Sequence, residues 1–205
     1  MNERNKFSMV LAGLSLGLLV LFGAAFGQEQ RMQKEISREI LRFHVLANSD
    51  SMADQEEKMQ VKDAVANYLR PLLQNTESKE DAVECVKKHL YNIEETAQKI
   101  AVSKEVTVSL EKDYFPEITY GDCTFPEGTY DALKIKIGEA KGHNWWCVLY
   151  PNLCFSGAIK PVVTEDDKSL LKNVLDEDCY CFLLRPAKTK IRFRLFGLEF
   201  FGQNR

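Results

Sequence analysis

Cys147 stands four residues after His143. A thiol beside an imidazole can become a nucleophile, and a carboxylate such as Asp50 can orient the base. His44 is a second candidate base. On this reading the chain is a thiol hydrolase acting on the cell wall, with His143 and Cys147 meeting on one helix face. The same sulfur has a competing, structural use. Cys154 follows beyond the turn signal Pro151-Asn152, and a hairpin with Leu149–Asn152 as its loop would set Cys147 and Cys154 opposite each other. A thiol held in a disulfide cannot attack. The chain has six cysteines; an even count permits disulfides outside the cytoplasm but fixes no connectivity. The bland alternative is that most are reduced, buried hydrophobes. No pair of Cys-x-x-Cys knuckles is present, so a structural zinc site is not expected; no other metal and no cofactor is expected either.

The same stretch carries both tryptophans of the protein, Trp145 and Trp146, directly after Asn144. Tryptophan is enriched at binding hot spots, but it is also a core residue. In a strand, neighbouring side chains point to opposite faces, so one of the pair can be core while the other meets a partner.

The elements that must position these residues are legible in the hydrophobic pattern. Leu41, Phe43 and Val45 alternate as one face of a strand. Asn48-Ser49-Asp50-Ser51 then breaks the pattern, and Ser51 with Asp54 forms a helix start. Val61, Val65, Tyr68, Leu69 and Leu72 predict a helix over 53–70 that Pro71 bends or ends. Val83, Val86, Leu90, Ile93, Ala97 and Ile100 form one apolar stripe, which predicts a second helix starting near Ser78. His89 lies beside that stripe as a partly buried surface histidine. From Glu105 the period becomes two: Val106, Val108 and Leu110 predict one strand, and Leu133, Ile135 and Ile137 another. Gly138 and Gly142 bracket a short loop leading into the tryptophans. The whole reads as one α+β domain, a strand, two helices, then mainly antiparallel strands.

Ahead of this domain, Arg4 and Lys6 precede an uncharged, apolar stretch from Phe7 to Gly27. It is about 20 residues long and so reads either as an export signal cleaved near Gly27 or as a retained membrane anchor. The basic flank places the remainder outside the cytoplasm. Residues 28–40 read as a linker or a first helical turn, 41–155 as the α+β domain, and 156–205 as an extension with an acidic segment followed by a basic, strand-like tail. In that tail, Ile191-Arg192-Phe193-Arg194-Leu195-Phe196 alternates apolar and basic residues. It suits an anionic membrane surface or an edge strand with its charges outward. The net charge of −3 shows no basic excess, which argues against a nucleic-acid partner.

Two segments carry a family resemblance. Leu41-Arg42-Phe43-His44-Val45-Leu46-Ala47-Asn48-Ser49-Asp50-Ser51, with Asp54-Gln55, Lys58 and Lys62-Asp63-Ala64-Val65, resembles the N-terminal motif of the stage II sporulation protein R family. Phe115-Pro116, Tyr120-Gly121, the Pro126 to Ala132 turn, and Asn144-Trp145-Trp146-Cys147-Val148-Leu149 through Leu153-Cys154-Phe155 resemble its second half. This chain departs at Pro151-Asn152, where the family has two prolines. The resemblance implies a signalling protein rather than an enzyme, with no small-molecule substrate. It would be made in the forespore and exported to the space facing the mother cell. Its partner would be a membrane-embedded, aspartic-type protease that removes the pro-sequence of sigma-E. The residues expected to meet that protease are Trp145 and Trp146 with the Asn48-Ser49-Asp50 turn, a polar rim of Asp50, Asp54, Gln55 and Lys58, and flanking Asn144, Leu149 and Tyr150. Plain helix capping is the competing role for the turn.

Overall fold

The computed structural model describes residues 3–151 and 165–185. The order is α1 (Glu3–Glu39), β1 (Leu41–Leu46), α2 (Met52–Leu73), α3 (Lys79–Lys88), α4 (Leu90–Gln98) and β2 (Val106–Phe115). Then come β3 (Ile118–Tyr120), β4 (Cys123–Phe125), β5 (Gly128–Ile137), β6 (Asn144–Tyr150), α5 (Glu165–Val174) and α6 (Glu177–Leu183).

Among the described residues, the main sheet runs β2-β5-β1-β6, and β3 pairs with β4 as a separate ribbon. The expected α+β class holds, with one refinement. β5 pairs antiparallel with β2 but parallel with β1, while β6 runs antiparallel to β1. The parallel pair is possible because α2, α3, α4 and β2 all intervene between β1 and β5, ample chain for a crossover.

β1 is buried on both faces. Leu41, Phe43 and Val45 point into a core shared with Val61, Val65 and Leu69 of α2, Val86 of α3, and Ile93 and Ala97 of α4. Arg42 and His44 point the other way and are also buried. That second face is closed by Ile36 of α1, Ile40, β3, β4, and Leu171, Cys179, Tyr180 and Leu183 of α5 and α6. Residues 165–183, expected as part of an extension, thus belong to the same folded body.

Three further expectations are corrected. Residues 28–39 are not a linker: they continue α1, and Ile36 and Ile40 are fully buried. Pro71 lies inside α2, which runs to Leu73; buried Leu69 and Leu73 keep the last turn on the core although the proline supplies no N–H. The long stripe after Ser78 is two helices, broken at His89 (φ −106°, ψ 7°). The stripe survives the break because Val86 and Ile93 still face one core, and the Tyr68 hydroxyl meets His89 Nδ1 at 2.8 Å.

Among the described residues, Arg42 is the largest fully buried side chain. Its guanidinium lies 4.5 Å from the Phe115 ring centre, and 5.3 Å from those of Phe125 and Tyr130. Nη2 donates to the Tyr120 hydroxyl at 3.2 Å, which in turn donates to the Trp146 carbonyl at 2.9 Å. Among the described residues, Nε and Nη1 have no hydrogen-bond partner. The aromatic faces supply the compensation for burying this cation. A flexible apolar side chain of similar length would fill the same volume without that desolvation cost. Arg42→Met is therefore expected to keep or raise stability, while Arg42→Ala loses about 3 kcal/mol through the cavity it leaves. Urea unfolding of both variants checks this; equal losses would show that the guanidinium itself is required.

Candidate functional site

The Asn48-Ser49-Asp50 turn follows β1 directly and is built around the Asp54 carboxylate. Ser51 caps α2 by accepting the Asp54 amide at 3.2 Å, so the predicted helix start is present. Asp54 then accepts from Asn48 Nδ2 at 2.9 Å and from the Ser49 hydroxyl, and pairs with Lys104 at 3.0 Å. These hydrogen bonds, those of Ser49 and Asn48 first, hold the Asp54 carboxyl far below the usual carboxylate range.

The turn grips the loop between β5 and β6. Asn48 Oδ1 accepts the Glu139 amide at 3.0 Å, and the carbonyls of Asn48 and Ala47 accept the amides of Lys141 and Gly142 at 3.1 and 3.0 Å. Asp50 Oδ1 accepts the His143 amide and faces His143 Nδ1, both at 2.6 Å. Those contacts hold the Asp50 carboxyl below its ordinary value. Gln55 Nε2 donates to the Ser49 carbonyl at 2.9 Å, while Lys58 Nζ donates to Gln55 Oε1 at 2.7 Å and to the His143 carbonyl at 3.0 Å. The two bracketing glycines are needed here. Gly138 has φ 56° beside the Asn48 side chain, and a Cβ on Gly142 would overlap the Ser49 carbonyl and Ala47.

The loop delivers Asn144 opposite Leu46, Trp145 opposite Val45 and Trp146 opposite His44. The two tryptophans do lie on opposite faces, but both are half-buried. Trp145 packs edge-on to Phe43 at 5.8 Å with Lys62 over its ring, and Trp146 stacks on His44 at 5.6 Å. Asn48, Ser49, Asp50, Gln55, Asn144, Trp145 and Trp146 are thus brought together at one end of the sheet. Asp54 and Lys58 are there too, but buried instead of forming an exposed rim, because the turn and loop consume their polar atoms. Leu149 and Tyr150 are also buried. β6 runs through them, so neither forms the predicted loop, and the Tyr150 hydroxyl donates to the Glu77 carbonyl at 2.9 Å. Asn152 and Cys154 lie outside the described residues.

The thiol–imidazole constellation is not assembled. Cys147 is disulfide-bonded and buried in the first core. His44 is on the opposite face of the sheet, with Nδ1 2.6 Å from Asp113 Oδ2. His143 precedes a strand rather than sharing a helix face with Cys147; four residues of extended chain span roughly 13 Å. Cys85, Cys123, Cys179 and Cys181 are free. Burial, with Asp122 beside it, pushes the Cys123 thiol up to about 11, and burial pushes Cys179 to about 12. Neither has thiolate character. Sequence reasoning missed the His44–Asp113–Lys134 group, in which Lys134 Nζ lies 3.1 Å from the same Asp113 oxygen. Only strand register, set by long-range pairing, brings these three together.

The clamp makes two expectations measurable. Gly142→Ala should cost about 1–3 kcal/mol in urea unfolding, because the Ser49 backbone cannot yield as a side-chain tip would. Acid should weaken the fold in two stages. Burial lowers the pKa of His44, so stability falls as pH drops through and below the ordinary histidine value of about 6.5. The depressed Asp54 carboxyl contributes fully above about pH 4 and is lost progressively below it. Urea midpoints taken from about pH 8 to about pH 3 should show His44→Gln flattening the upper stage and Asp54→Asn the lower.

A model of the family described as stage II sporulation protein R matches residues 37–160. That span holds β1, the Asn-Ser-Asp turn, the whole main sheet and both tryptophans. The chain is 36% identical over 149 residues to the stage II sporulation protein R of Bacillus subtilis (strain 168), a match covering 67% of this chain and 66% of that protein. No solved structure matches. On the extent of both matches, the chain belongs to the stage II sporulation protein R family.

Proposed function

We propose that this protein is an exported signal of sporulation that switches on a membrane-embedded, aspartic-type protease of the mother cell, leading to processing of pro-sigma-E. The family membership carries this reading. Two structural observations support it. α1 is long and apolar enough over Leu11–Glu39 to cross a membrane, with an 18-residue stretch of mean hydropathy 1.8 that is not buried in the domain, which suits either a signal or an anchor. The second concerns placement. α1 enters the domain at the start of β1, whereas the Asn48–Asp50 turn and the β5–β6 loop sit at its far end. Six residues of strand separate the two by about 20 Å. This placement supports the reading: with α1 in a membrane, the turn would lie at the end of β1 remote from it, where a partner could reach it.

Within that end of the sheet, Asp50 and His143 are exposed, and Ser49, Gln55 and Asn144 half-exposed, beside the rims of the two tryptophans. A patch with polar groups around aromatic anchors is the usual anatomy of a protein contact. A ligand of this kind needs only greater affinity for the active state of its target.

The decisive assay replaces the host copy in a sporulating strain with this gene under a forespore promoter, read by a sigma-E-dependent reporter. The parent chain should fire the reporter, and the chain lacking residues 1–27 should not. Asp50→Lys should lower the output at least roughly tenfold at unchanged levels of exported protein, as expected for a hot-spot charge reversal. A parental signal from Asp50→Lys would move the contact elsewhere on the domain, and a silent parent chain that is stable and exported would overturn the signalling reading.

A further inference from the structure

α1 and α6 meet at three successive levels. At the first, the Cys179 thiol donates to Glu35 Oε2 at 3.7 Å. At the second, Met32 and Phe182 both pack against the second core. At the third, Arg185 Nη2 donates to Glu29 Oε1 at 3.1 Å, and its guanidinium covers the Phe182 ring at 3.3 Å. Moving from level to level, the residue number falls on α1 as it rises on α6. The two helices are therefore antiparallel, and the C-terminal end of α6 comes down to the level of Glu29.

That level has a meaning for a helix seated in a bilayer. From Phe7 to Gly27 the apolar stretch of α1 rises about 30 Å, the thickness of the hydrocarbon core. No apolar length is left over, so Gly27 falls at the edge of the acyl chains. Glu29, about 3 Å further on, falls among the headgroups. What α6 presents at this height is apolar: Leu184 is 38% exposed, and Phe182 is half-buried. The acidic residues of α6, Glu177 and Asp178, stand in its first turn. Asp178 is about 9 Å of helix rise farther from the bilayer than Leu184.

We infer that the C-terminal end of α6 rests on the surface of the bilayer that α1 spans. Leu184 and the rim of Phe182 meet the boundary between acyl chains and headgroups, and Glu29 holds Arg185 at headgroup height. Aromatic and aliphatic side chains beside a basic residue suit that depth. The membrane surface is thus a second attachment to one side of α1, and it restrains the tilt of the domain. The inference rests on the anchored form of the proposed function, with α1 retained in a bilayer, and not on the protease.

The test uses the full chain reconstituted into phosphatidylcholine vesicles containing a phosphatidylcholine with a diazirine near the head of one acyl chain. After illumination, lipid adducts are expected within the apolar stretch of α1 and on Phe182–Arg185, and not on the Asn48–Asp50 turn. A second measurement replaces the photoactive lipid by one with brominated acyl chains. Leu184→Trp should lose the added tryptophan's share of the emission, whereas the parent chain, whose tryptophans lie at the far end of the sheet, should keep its own. Adducts on α1 without adducts on α6, or an unquenched Leu184→Trp, overturn the contact. A parent chain without adducts on α1 overturns the anchored form and the inference with it. A silent sporulation reporter from a chain whose α6 takes lipid adducts would count against the signalling reading alone and leave this contact supported.

Discussion

The Asp54 carboxylate organises more of this domain than any other single group. It stands at the first turn of α2, where its own amide is capped by Ser51, and it takes hydrogen bonds from Asn48 and Ser49 in the preceding turn. Lys104, from the connection between α4 and β2, closes the far side by reaching both Asp54 and Glu57. A short stretch of backbone is thereby fixed against a helix on one side and a strand on the other. Because the same turn accepts amides from Glu139, Lys141, Gly142 and His143, it also sets where β6 begins. In a strand, a slip of one residue exchanges the faces. Were β6 to slip, Trp145 and Trp146 would trade places between the two cores.

The second constraint is that β1 has no solvent face. Parallel pairing to β5, antiparallel pairing to β6 and a core on each side leave each of its side chains to be accommodated by packing. Leu41, Phe43 and Val45 meet that condition by being apolar. Arg42 meets it through aromatic rings, and His44 through Asp113 and the Trp146 stack. Burial keeps the histidine below its ordinary pKa despite the carboxylate beside it, so the pair is a neutral ring donating to an anion near neutral pH. Lys79 does similar work at the start of α3, donating to the Ser37 carbonyl at the end of α1 and to Asp131 of β5. These buried charges locate elements relative to one another, whereas the apolar contacts chiefly hold them together.

The local features were readable from the chain. The alternation of Leu41, Phe43 and Val45, the Ser51 and Ser78 caps, the two glycines around the β5–β6 loop and the α+β class all rest on near-neighbour chemistry, and each is present. The features that were not readable depend on pairing across long stretches of sequence. Nothing near Arg42 announces that Phe115, Phe125 and Tyr130 will surround it. The polar character of Asp54 and Lys58 suggested exposure, yet both are buried: Asp54 is enclosed by the preceding turn and by Lys104, and Lys58 by a loop whose His143 carbonyl comes from 85 residues away. The same is true of His44, which looked available as a base until register placed Asp113 and Lys134 beside it. Residues 28–39 looked like a linker since their charges are frequent, but a helix needs only one apolar stripe to dock, and Met32, Ile36 and Ile40 provide it.

The way α1 meets the sheet has a mechanical consequence. Helix gives way to strand at Ile40, a single fully buried residue, and there is no slack between the apolar segment and the core. A domain held this way cannot swivel freely on its attachment. Any tilt of the helix within a bilayer becomes the same tilt of the sheet, and the far end of β1 sweeps through an arc set by the length of the rigid body. Cutting the helix near Gly27 would leave Ile36 and Ile40 in place and the domain intact, but would release it from that fixed bearing. Were α1 seated in a bilayer, the uncut chain would act as a pointer with a defined aim and the cut one as a freely tumbling particle.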